Sequence, residues 1–291
     1  MVSGANLLWV NDRLVPVDEA ALDPRDRGFT LGDGLFETIR VRGGRLLFLG
    51  LHLARLRAGA EQIGLSTVPD DETLTGAICL TLEANGLCDA AVRLTVSRGV
   101  PAHRGLSPDP ESAPSVVVHA QPFAGYPAEI YSRGMRVTIS GIPRNERSPL
   151  ARVKALSYLD NVLARREADM RGVEEALMLN TAGHLACASA ANLFLVRGET
   201  LLTPDQESGA LPGTVRGLTL VELAPQMGLS VVERTVRTEE LATADEIFLT
   251  SALLGVMPLT EVDGLSVGTG RPGPISLGLR ARLEEIVYPG L

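Results

Sequence analysis

Hydrophobic and polar residues alternate along FETIRVRGGRLLFL, residues 36–49, and the alternation breaks at Gly43 and Gly44. A two-residue glycine turn between two alternating segments predicts a β-hairpin. Residues 51–64 have helical spacing instead. Residues 69–86, PDDETLTGAICLTLEANG, begin with acidic residues and end in glycine, which are signals for the two ends of a helix.

Further along, AAVRLTVSRG and SVVVHAQPF predict two strands, and the segment 98–114 between them is rich in proline, glycine and serine. Loops of this length are usually functional or disordered. Proline and glycine then interrupt the pattern, which predicts a first domain at 1–122, a linker at 123–129 and a second domain at 130–291.

The second half of the chain also mixes both kinds of element. We predict, in order, a strand at 135–140, a helix ending at Gly172, hairpins in EALMLNTAGHLACA and NLFLVRGETLLT, a helix in GTVRGLTLVELAPQMG, strands at 229–236 and 245–250, and a C-terminal helix in PISLGLRARLEEIV. The elements do not alternate strictly between strand and helix. Two α+β domains are therefore predicted rather than a Rossmann sheet.

The composition is that of a globular protein, with 45% hydrophobic and 21% charged residues in 291. A net charge of −8 and a pI near 5.2 argue against a nucleic-acid or membrane-surface partner, so any anionic ligand needs a local arginine cluster. The first residues lack a signal-peptide pattern, and the three cysteines lack metal-site or disulfide spacing. These features predict a cytoplasmic protein.

Lys154 is the only lysine in a chain that has 26 arginines. Arginine stays protonated in proteins, whereas a partly desolvated lysine can become a free amine and act as a nucleophile. Such lysines form Schiff bases with carbonyl substrates or with pyridoxal phosphate. The alternative to a Schiff-base role is that Lys154 is a surface lysine that remains in the sequence by chance. A class I aldolase would use the same chemistry, but the eight strand and helix alternations of its barrel are missing from the pattern.

Four segments together resemble one family, the class IV or fold type IV pyridoxal-phosphate enzymes: DPRDRGFTLGDGLFETIRV (23–41), LHLARLRAGA (51–60), SPLARVKALSYLDNVLARREA (148–168) and EALMLNTAGHLACASAANLFLV (175–196). The family includes branched-chain aminotransferases, D-amino acid aminotransferases and 4-amino-4-deoxychorismate lyases. The resemblance runs from about residue 6 to about residue 265. It implies a two-domain α+β fold, pyridoxal 5'-phosphate as cofactor, a small amino substrate and a homodimer.

Carried over residue by residue, the resemblance implies that Lys154 holds the cofactor as a Schiff base and moves the substrate's α-proton. Thr38 matches a position near the cofactor where a hydroxyl could assist that transfer. Arg55, in LHLARL, matches the arginine that contacts the cofactor phosphate. The alternative for Arg55 is a solvated helix charge, because it shares a helical face with His52 and Gly59.

Phosphate binding is expected at two further places. Proline and glycine lead directly into the predicted helix of residues 213–228, where free N–H groups favour an anion. Gly213, Thr214 and Val215 match the family's phosphate cradle, with Val215 standing where many relatives carry threonine. Ser251 and Ala252 match the other phosphate-side loop. Either stretch alone could be an ordinary turn.

One position departs from the family pattern. Most members carry a glutamate that pairs with the pyridine nitrogen of the cofactor, and Cys187, in ACASAANLF, stands in its place. A neutral thiol would make the ring a poorer electron sink and slow transamination, whereas a thiolate would preserve much of the function. The alternative for Cys187 is a small buried hydrophobic residue.

The residues expected to contact the substrate favour a 4-amino-4-deoxychorismate lyase over an aminotransferase. SRGVPAHRGLSPD, residues 97–109, resembles the loop of the aminodeoxychorismate lyases, although Leu106 replaces their tyrosine. The resemblance implies substrate contacts for Phe36, Arg98, His103 and Arg104, and the three basic residues suit a substrate with two carboxylates. Branched-chain or D-amino acid transamination is the alternative. A family member that binds the cofactor without catalysis is a second alternative.

Overall fold

The structure of the protein is a computed structural model that describes residues 6–109 and 112–287. Residues 110–111 of the predicted loop at 98–114 lie outside the described residues, as do the outer ends of the two predicted domains. The chain packs as two compact units: 1–124 with 153–157, and 125–152 with 158–291. The segment 153–157, which carries Lys154, thus packs with the first unit, whereas the sequence placed it in the second domain.

The first unit contains six strands and three helices within the residues described. They are β1 Leu7–Val10, β2 Arg13–Pro16, α1 Arg27–Leu31, β3 Gly34–Arg42, β4 Arg45–Leu46, α2 Leu49–Gln62, α3 Asp71–Ala84, β5 Ala90–Ser97 and β6 Ser115–Pro122. The sheet order is β2-β1-β6-β5-β3-β4. Neighbouring strands run antiparallel. The predicted hairpin at Gly43–Gly44 is confirmed as β3–β4, and both predicted helices form as α2 and α3.

Strand β3 presents two different faces because successive side chains point to opposite sides of a sheet. Leu35, Ile39 and Val41 are buried in a core that α2 and α3 complete. Helix α3 begins where its sequence predicts, since the side chain of Asp70 accepts a hydrogen bond from the backbone N–H of Thr73. The opposite face of β3 carries Phe36 and Thr38.

The second unit is built around a nine-stranded sheet. Its elements are α4 Ala128–Arg133, β7 Met135–Ile139, a 3₁₀ turn Pro149–Arg152, α5 Leu159–Arg171, β8 Glu175–Leu179, β9 Leu185–Ala188, β10 Asn192–Arg197, β11 Thr200–Thr203, α6 Thr214–Leu218, a π-helical turn Thr219–Leu223, α7 Ala224–Gln226, β12 Ser230–Glu233, a 3₁₀ helix Thr238–Thr243, β13 Glu246–Ser251, β14 Gly255–Val262, β15 Leu265–Ser266 and α8 Pro274–Val287. The order is β12-β11-β10-β13-β14-β7-β8-β9, and β15 pairs with β14.

Most elements predicted for the second unit are confirmed, and β14 is the main one that the sequence analysis missed. This strand lies centrally, antiparallel to β13 and parallel to β7. Pro258 argues against a central strand, because proline cannot donate to the hydrogen-bond ladder. The register with β7 shifts between Leu259 and Glu261, close to this proline. Each unit combines helices with a mixed or antiparallel sheet, as the α+β prediction requires.

Across the described ranges, no helix is both long and apolar enough to span a membrane.

Candidate active site

Lys154 lies in an irregular segment that pairs with the first residues of β3. The backbone N–H of Phe36 donates to the carbonyl of Lys154 at 3.0 Å, and the N–H of Leu156 donates to the carbonyl of Gly34 at 2.9 Å. An antiparallel bridge joins Leu35 and Ala155 between them. These contacts fix the backbone on both sides of a half-buried lysine, so its amine starts from a defined position.

The side chain of Lys154 points at an aromatic ring. Its Nζ lies 4.1 Å from the ring centre of Phe36, and the guanidinium carbon of Arg93 lies 3.6 Å from the same centre. Thr38 sits on the same face of β3 as Phe36, and its cross-strand partner is Arg93. Phe36, Thr38 and Lys154 were all predicted site residues, and the fold gathers them around one cationic, aromatic corner.

Arg55 projects from α2 toward the other face of β3. Its Nε donates to Glu37 Oε1 at 2.7 Å and its Nη2 donates to Oε2 of the same carboxylate. His52 Nδ1 lies 2.7 Å from Oε2. Burial alone would raise the pKa of Glu37, but the hydrogen bonds from Arg55 and His52 outweigh it and hold that pKa below its ordinary 4.5. Arg55 is thus fixed by a buried anion, and its contact with a cofactor phosphate stays a prediction.

Arg98 is buried and anchors its neighbourhood. Its Nε donates to Asp33 Oδ2 at 2.8 Å, and its two Nη atoms donate to the carbonyls of Ile63 and Gly64, each at 2.7 Å. Arg27 donates to the same Asp33 oxygen at 2.7 Å. These contacts give Arg98 a structural role, and the substrate contact expected of it stays a prediction.

The loop after β5 carries the other two predicted substrate residues. His103 and Arg104 are exposed on it. Arg27 holds the loop nearby, since its Nη atoms donate to the carbonyls of Gly105 and Leu106 at 2.9 and 3.0 Å. The loop therefore displays both basic side chains to solvent while its backbone stays tethered.

In the second unit, α6 begins at the predicted phosphate cradle. Gly213 is its N-cap residue and supplies no side-chain hydrogen bond, so the first N–H groups of the helix keep donor capacity. Thr214 Oγ1 is buried and has no hydrogen-bond partner among the described residues. The side chain of Val215 is buried in the protein, so this position offers its backbone N–H alone. A side chain at Gly213 would collide with Asn192 Oδ1.

Ser251 is the last residue of β13, and Ala252 begins the turn between β13 and β14. The backbone N–H of Leu254 donates to Ser251 Oγ at 3.2 Å, which closes the turn. The preceding residue, Thr250, is fully buried, and its Oγ1 has no partner within the described parts of the chain. Two threonine hydroxyls of this unit, those of Thr214 and Thr250, are thus buried without a partner, a costly state unless a ligand accepts or donates there.

Cys187 is a buried residue of the second unit. It lies on β9 opposite Met178 of β8 and is 4% exposed. Burial raises the pKa of its thiol, and the charge of Arg144, which acts the other way, does not overcome that effect. The raised pKa favours the protonated form of the thiol. The negative charge of Glu175 also raises the pKa of Cys187, so an acid does lie in this region.

Glu37 and Arg93 were missed by the sequence analysis, although the pattern contains a signal for one of them. Glu37 is in phase with Leu35 and Ile39, so strict alternation places a carboxylate on the core face of β3. A buried carboxylate requires a cationic partner. Arg93 gives no comparable signal, because an arginine on the outward face of a strand is ordinary.

Comparisons with known proteins identify the family of the chain. The class IV amino-transferase family model matches residues 34–262. A putative branched-chain-amino-acid aminotransferase of Methanocaldococcus jannaschii is 31% identical over 279 residues, covering 96% of each chain. A branched-chain amino acid aminotransferase of T.th., solved with pyridoxamine 5'-phosphate, superposes with a TM-score of 0.90 at 28% identity, covering 98% of this chain and 95% of that one.

The 4-amino-4-deoxychorismate lyase of Pseudomonas aeruginosa superposes with a TM-score of 0.84 at 33% identity, covering 96% of this chain and 98% of that one. These matches span nearly the whole chain and confirm the predicted fold and cofactor. The chain belongs to the class IV aminotransferases, the pyridoxal-phosphate-dependent enzymes of fold type IV.

Proposed function

We propose that this enzyme is a 4-amino-4-deoxychorismate lyase, which converts its substrate into 4-aminobenzoate and pyruvate. The observation that carries the proposal is the burial of the Cys187 thiol, which raises its pKa and favours the protonated form. The resemblance assigns this residue to the position where most relatives carry a glutamate. Transamination needs a strong electron sink in both half-reactions. The elimination is driven by formation of an aromatic ring, so it tolerates the weaker sink that a neutral thiol leaves.

The second unit offers donors that suit a phosphate dianion. The uncapped start of α6, at Gly213, presents backbone N–H groups, and Thr214 Oγ1 is a buried hydroxyl in need of a partner. Asn192 donates to the carbonyl of Leu211 at 2.8 Å and so shapes the approach to Gly213. These residues would hold the phosphate of pyridoxal phosphate, with Ser251 and Ala252 assigned to the same group by the resemblance.

When bound, pyridoxal phosphate supplies a carbonyl that condenses with amines and a conjugated ring that accepts electrons. Lys154 is the residue that would attach to that carbonyl, be released by the incoming amine, and then remove the proton from the amine-bearing carbon. The Thr38 hydroxyl is assigned to assist that proton transfer. The backbone pairing of residues 154–156 with β3 holds the base while it works.

Carboxylate recognition is assigned to arginine. Arg93 lies against the Phe36 ring that Lys154 also contacts, so a carboxylate bound there would sit near the amine. Arg104 lies exposed on the tethered loop and supplies further positive charge, and the exposed His103 beside it offers ring nitrogens for hydrogen bonds. A substrate with two carboxylates matches this supply of cations.

The reaction balances without an added reagent. Lys154 takes a proton from the ring carbon that bears the amine, and the bond from the ring to the enolpyruvyl oxygen breaks. The electron pair from the C–H bond completes the aromatic ring, and the departing enolate takes up one proton to become pyruvate. Lys154 would then displace the amine, which leaves as part of 4-aminobenzoate.

Transfer of the amine from a branched-chain or D-amino acid to a 2-oxo acid is the second candidate. It is favoured by the negative charge of Glu175, which reaches Cys187 and could support a protonated ring nitrogen. Against it, both oxygens of Glu175 already accept hydrogen bonds, from Arg165, from Ser189 and from the N–H of Ala176. The relative in Methanocaldococcus jannaschii adds support for this candidate.

One set of assays separates the two. The holoenzyme is given 4-amino-4-deoxychorismate, L-leucine with 2-oxoglutarate, or D-alanine with 2-oxoglutarate, and Lys154→Arg serves as the inactive control. Stoichiometric pyruvate and 4-aminobenzoate from the first substrate alone supports the lyase. Glutamate formation from either amino acid at a higher kcat/KM supports the aminotransferase, and no product from any of the three supports cofactor binding without catalysis. The expected homodimer is checked by sedimentation of the same sample.

A further inference from the structure

The second unit has a concave pocket of about 640 Å³ that is separate from every residue assigned above. It is formed by α4, the turn at 270–272 and α8. Three arginines line it, Arg133, Arg271 and Arg280. No acidic residue is among its described lining residues, although the whole chain carries a net charge of −8. Positive charge is therefore concentrated where the protein surface is concave, the arrangement that focuses an attractive field on an anion.

Two of the three guanidinium groups have unused donors. Within the described ranges, neither Arg271 nor Arg280 makes a hydrogen bond or an ion pair with the protein. Arg133 differs, since it donates to Glu174 at 2.7 Å and to the carbonyl of Gly134 at 3.1 Å. Arg271 is exposed in the turn. Arginines often pair with carboxylates, and two in one pocket that make no such pair leave N–H donors for a ligand.

The pocket is preorganised by an aromatic platform. The guanidinium carbon of Arg280 lies 3.9 Å from the ring centre of Tyr131. The hydroxyl of Tyr131 donates to the carbonyl of Leu254 at 2.9 Å, which ties α4 to the β13–β14 turn. Stacking uses the face of a guanidinium and leaves its N–H edges available for hydrogen bonds. Arg280 is therefore held in place without losing its capacity to donate.

We propose that this pocket binds a small anion with at least two negative charges, through Arg271 and Arg280, with Arg133 as a weaker contributor. Phosphoryl and carboxylate groups both match the guanidinium fork. Inorganic pyrophosphate and citrate serve as the probes for these two chemistries. The probe with the lower dissociation constant identifies whether the pocket prefers phosphoryl or carboxylate groups.

The test is calorimetric titration of each probe into holoenzyme saturated with pyridoxal phosphate, so that the cofactor's own phosphate site is occupied. We expect one site per chain for at least one probe. Arg271→Gln and Arg280→Gln should each weaken binding about tenfold or more, as expected for loss of a charge-assisted hydrogen bond. Arg133→Gln should weaken it less, because that guanidinium is shared with Glu174.

Arg282→Gln is the matched control, because Arg282 lies on the same helix, carries the same charge and pairs with Glu285 outside the pocket. It should leave the affinity unchanged. Absence of saturable binding for both probes would overturn the proposal, as would equal weakening by Arg282→Gln, which would indicate diffuse charge attraction. If Arg280→Gln fails to fold, the exposed Arg271→Gln decides the question, and unchanged affinity in that variant refutes the site.

Discussion

Glu37→Gln separates charge from packing at the centre of the first unit. Glu37 is fully buried on the core face of β3 and accepts hydrogen bonds from two basic side chains of α2. Glutamine has nearly the same volume, so the core keeps its shape. The amide loses the negative charge and turns an NH₂ group toward donors of Arg55 and His52. The guanidinium of Arg55 is then left beside a neutral group.

The size of the effect follows from burial. Removal of one partner from a buried ion pair costs about 3 to 5 kcal/mol. Arg55 is 14% exposed, so water relieves part of this cost, and the lower end of the range applies. We expect Glu37→Gln to lower the free energy of unfolding by about 3 kcal/mol, which corresponds to a drop in Tm of roughly 6 to 12 °C for a chain of moderate size.

The loss should depend on pH with a definite sign. The pKa of Glu37 in the folded protein lies below its ordinary value of 4.5, so ionisation favours the fold at pH values above 4.5. That contribution disappears as the pH falls from 4.5 through the lower folded pKa. The stability difference between wild type and Glu37→Gln should therefore be full at neutral pH and shrink below about pH 4.5.

The assay is urea unfolding of both proteins at pH 7 and at several acidic values, with Glu61→Gln as the matched control. Glu61 is an exposed glutamate on α2, so its replacement should change stability by about 0.5 kcal/mol or less. Our reasoning is refuted if Glu37→Gln is as stable as Glu61→Gln at pH 7. It is equally refuted if the difference between Glu37→Gln and wild type stays constant into the acidic range.

Four other substitutions test the remaining assignments. Lys154→Arg should abolish turnover and borohydride-dependent labelling by the cofactor while circular dichroism stays unchanged, because arginine keeps the charge and forms no imine. Arg55→Ala should weaken cofactor binding by about 1.5 to 3 kcal/mol, measured as a dissociation constant, and an unchanged constant would show that Arg55 serves Glu37 alone. Cys187→Glu should speed formation of pyridoxamine phosphate from a simple amino acid more than it speeds pyruvate release. Equal single-turnover rates of pyridoxamine phosphate formation in wild type and Cys187→Glu would contradict our placement of Cys187. Gly99→Ala should lower Tm, because Gly99 has a φ of +81° and an added Cβ would overlap the Ala113 carbonyl, so an unchanged melting curve would contradict this strain.

Local signals in the sequence predict many of the elements correctly. The glycine pair at 43–44 has positive φ angles in the hairpin turn, and Gly172, with a φ of +67°, ends α5 where the sequence predicts a helix end. The segment that carries Lys154 is different, because its neighbour is the start of β3, more than a hundred residues earlier. Pairing across such a distance leaves no periodic signal near residue 154.

The sequence could predict which residues belong to the candidate site. It could not predict which side chains contact them in the folded protein. Sequence reasoning placed Arg55 and His52 on one helical face, but their shared partner, Glu37, lies on a different element. Likewise, it offered both protonation states for Cys187. Burial among the residues of β8 and β9, together with the charge of Glu175, raises the pKa of the thiol against the charge of Arg144. Each of these influences depends on tertiary packing.

The two faces of strand β3 carry side chains with different roles, because successive residues point to opposite sides of the sheet. Glu37 points into the core and fixes Arg55, while Phe36 and Thr38 on either side of it face Lys154 and Arg93. Because side chains alternate at every residue, a shift of one position in the pairing of β3 with β5 would exchange these two sets. It would place the carboxylate in the site and an aromatic ring against the arginine. The core positions of β3 therefore set the surroundings of Lys154 as well as the stability of the unit, since the same register that buries Leu35 and Ile39 also aims Phe36 at the lysine.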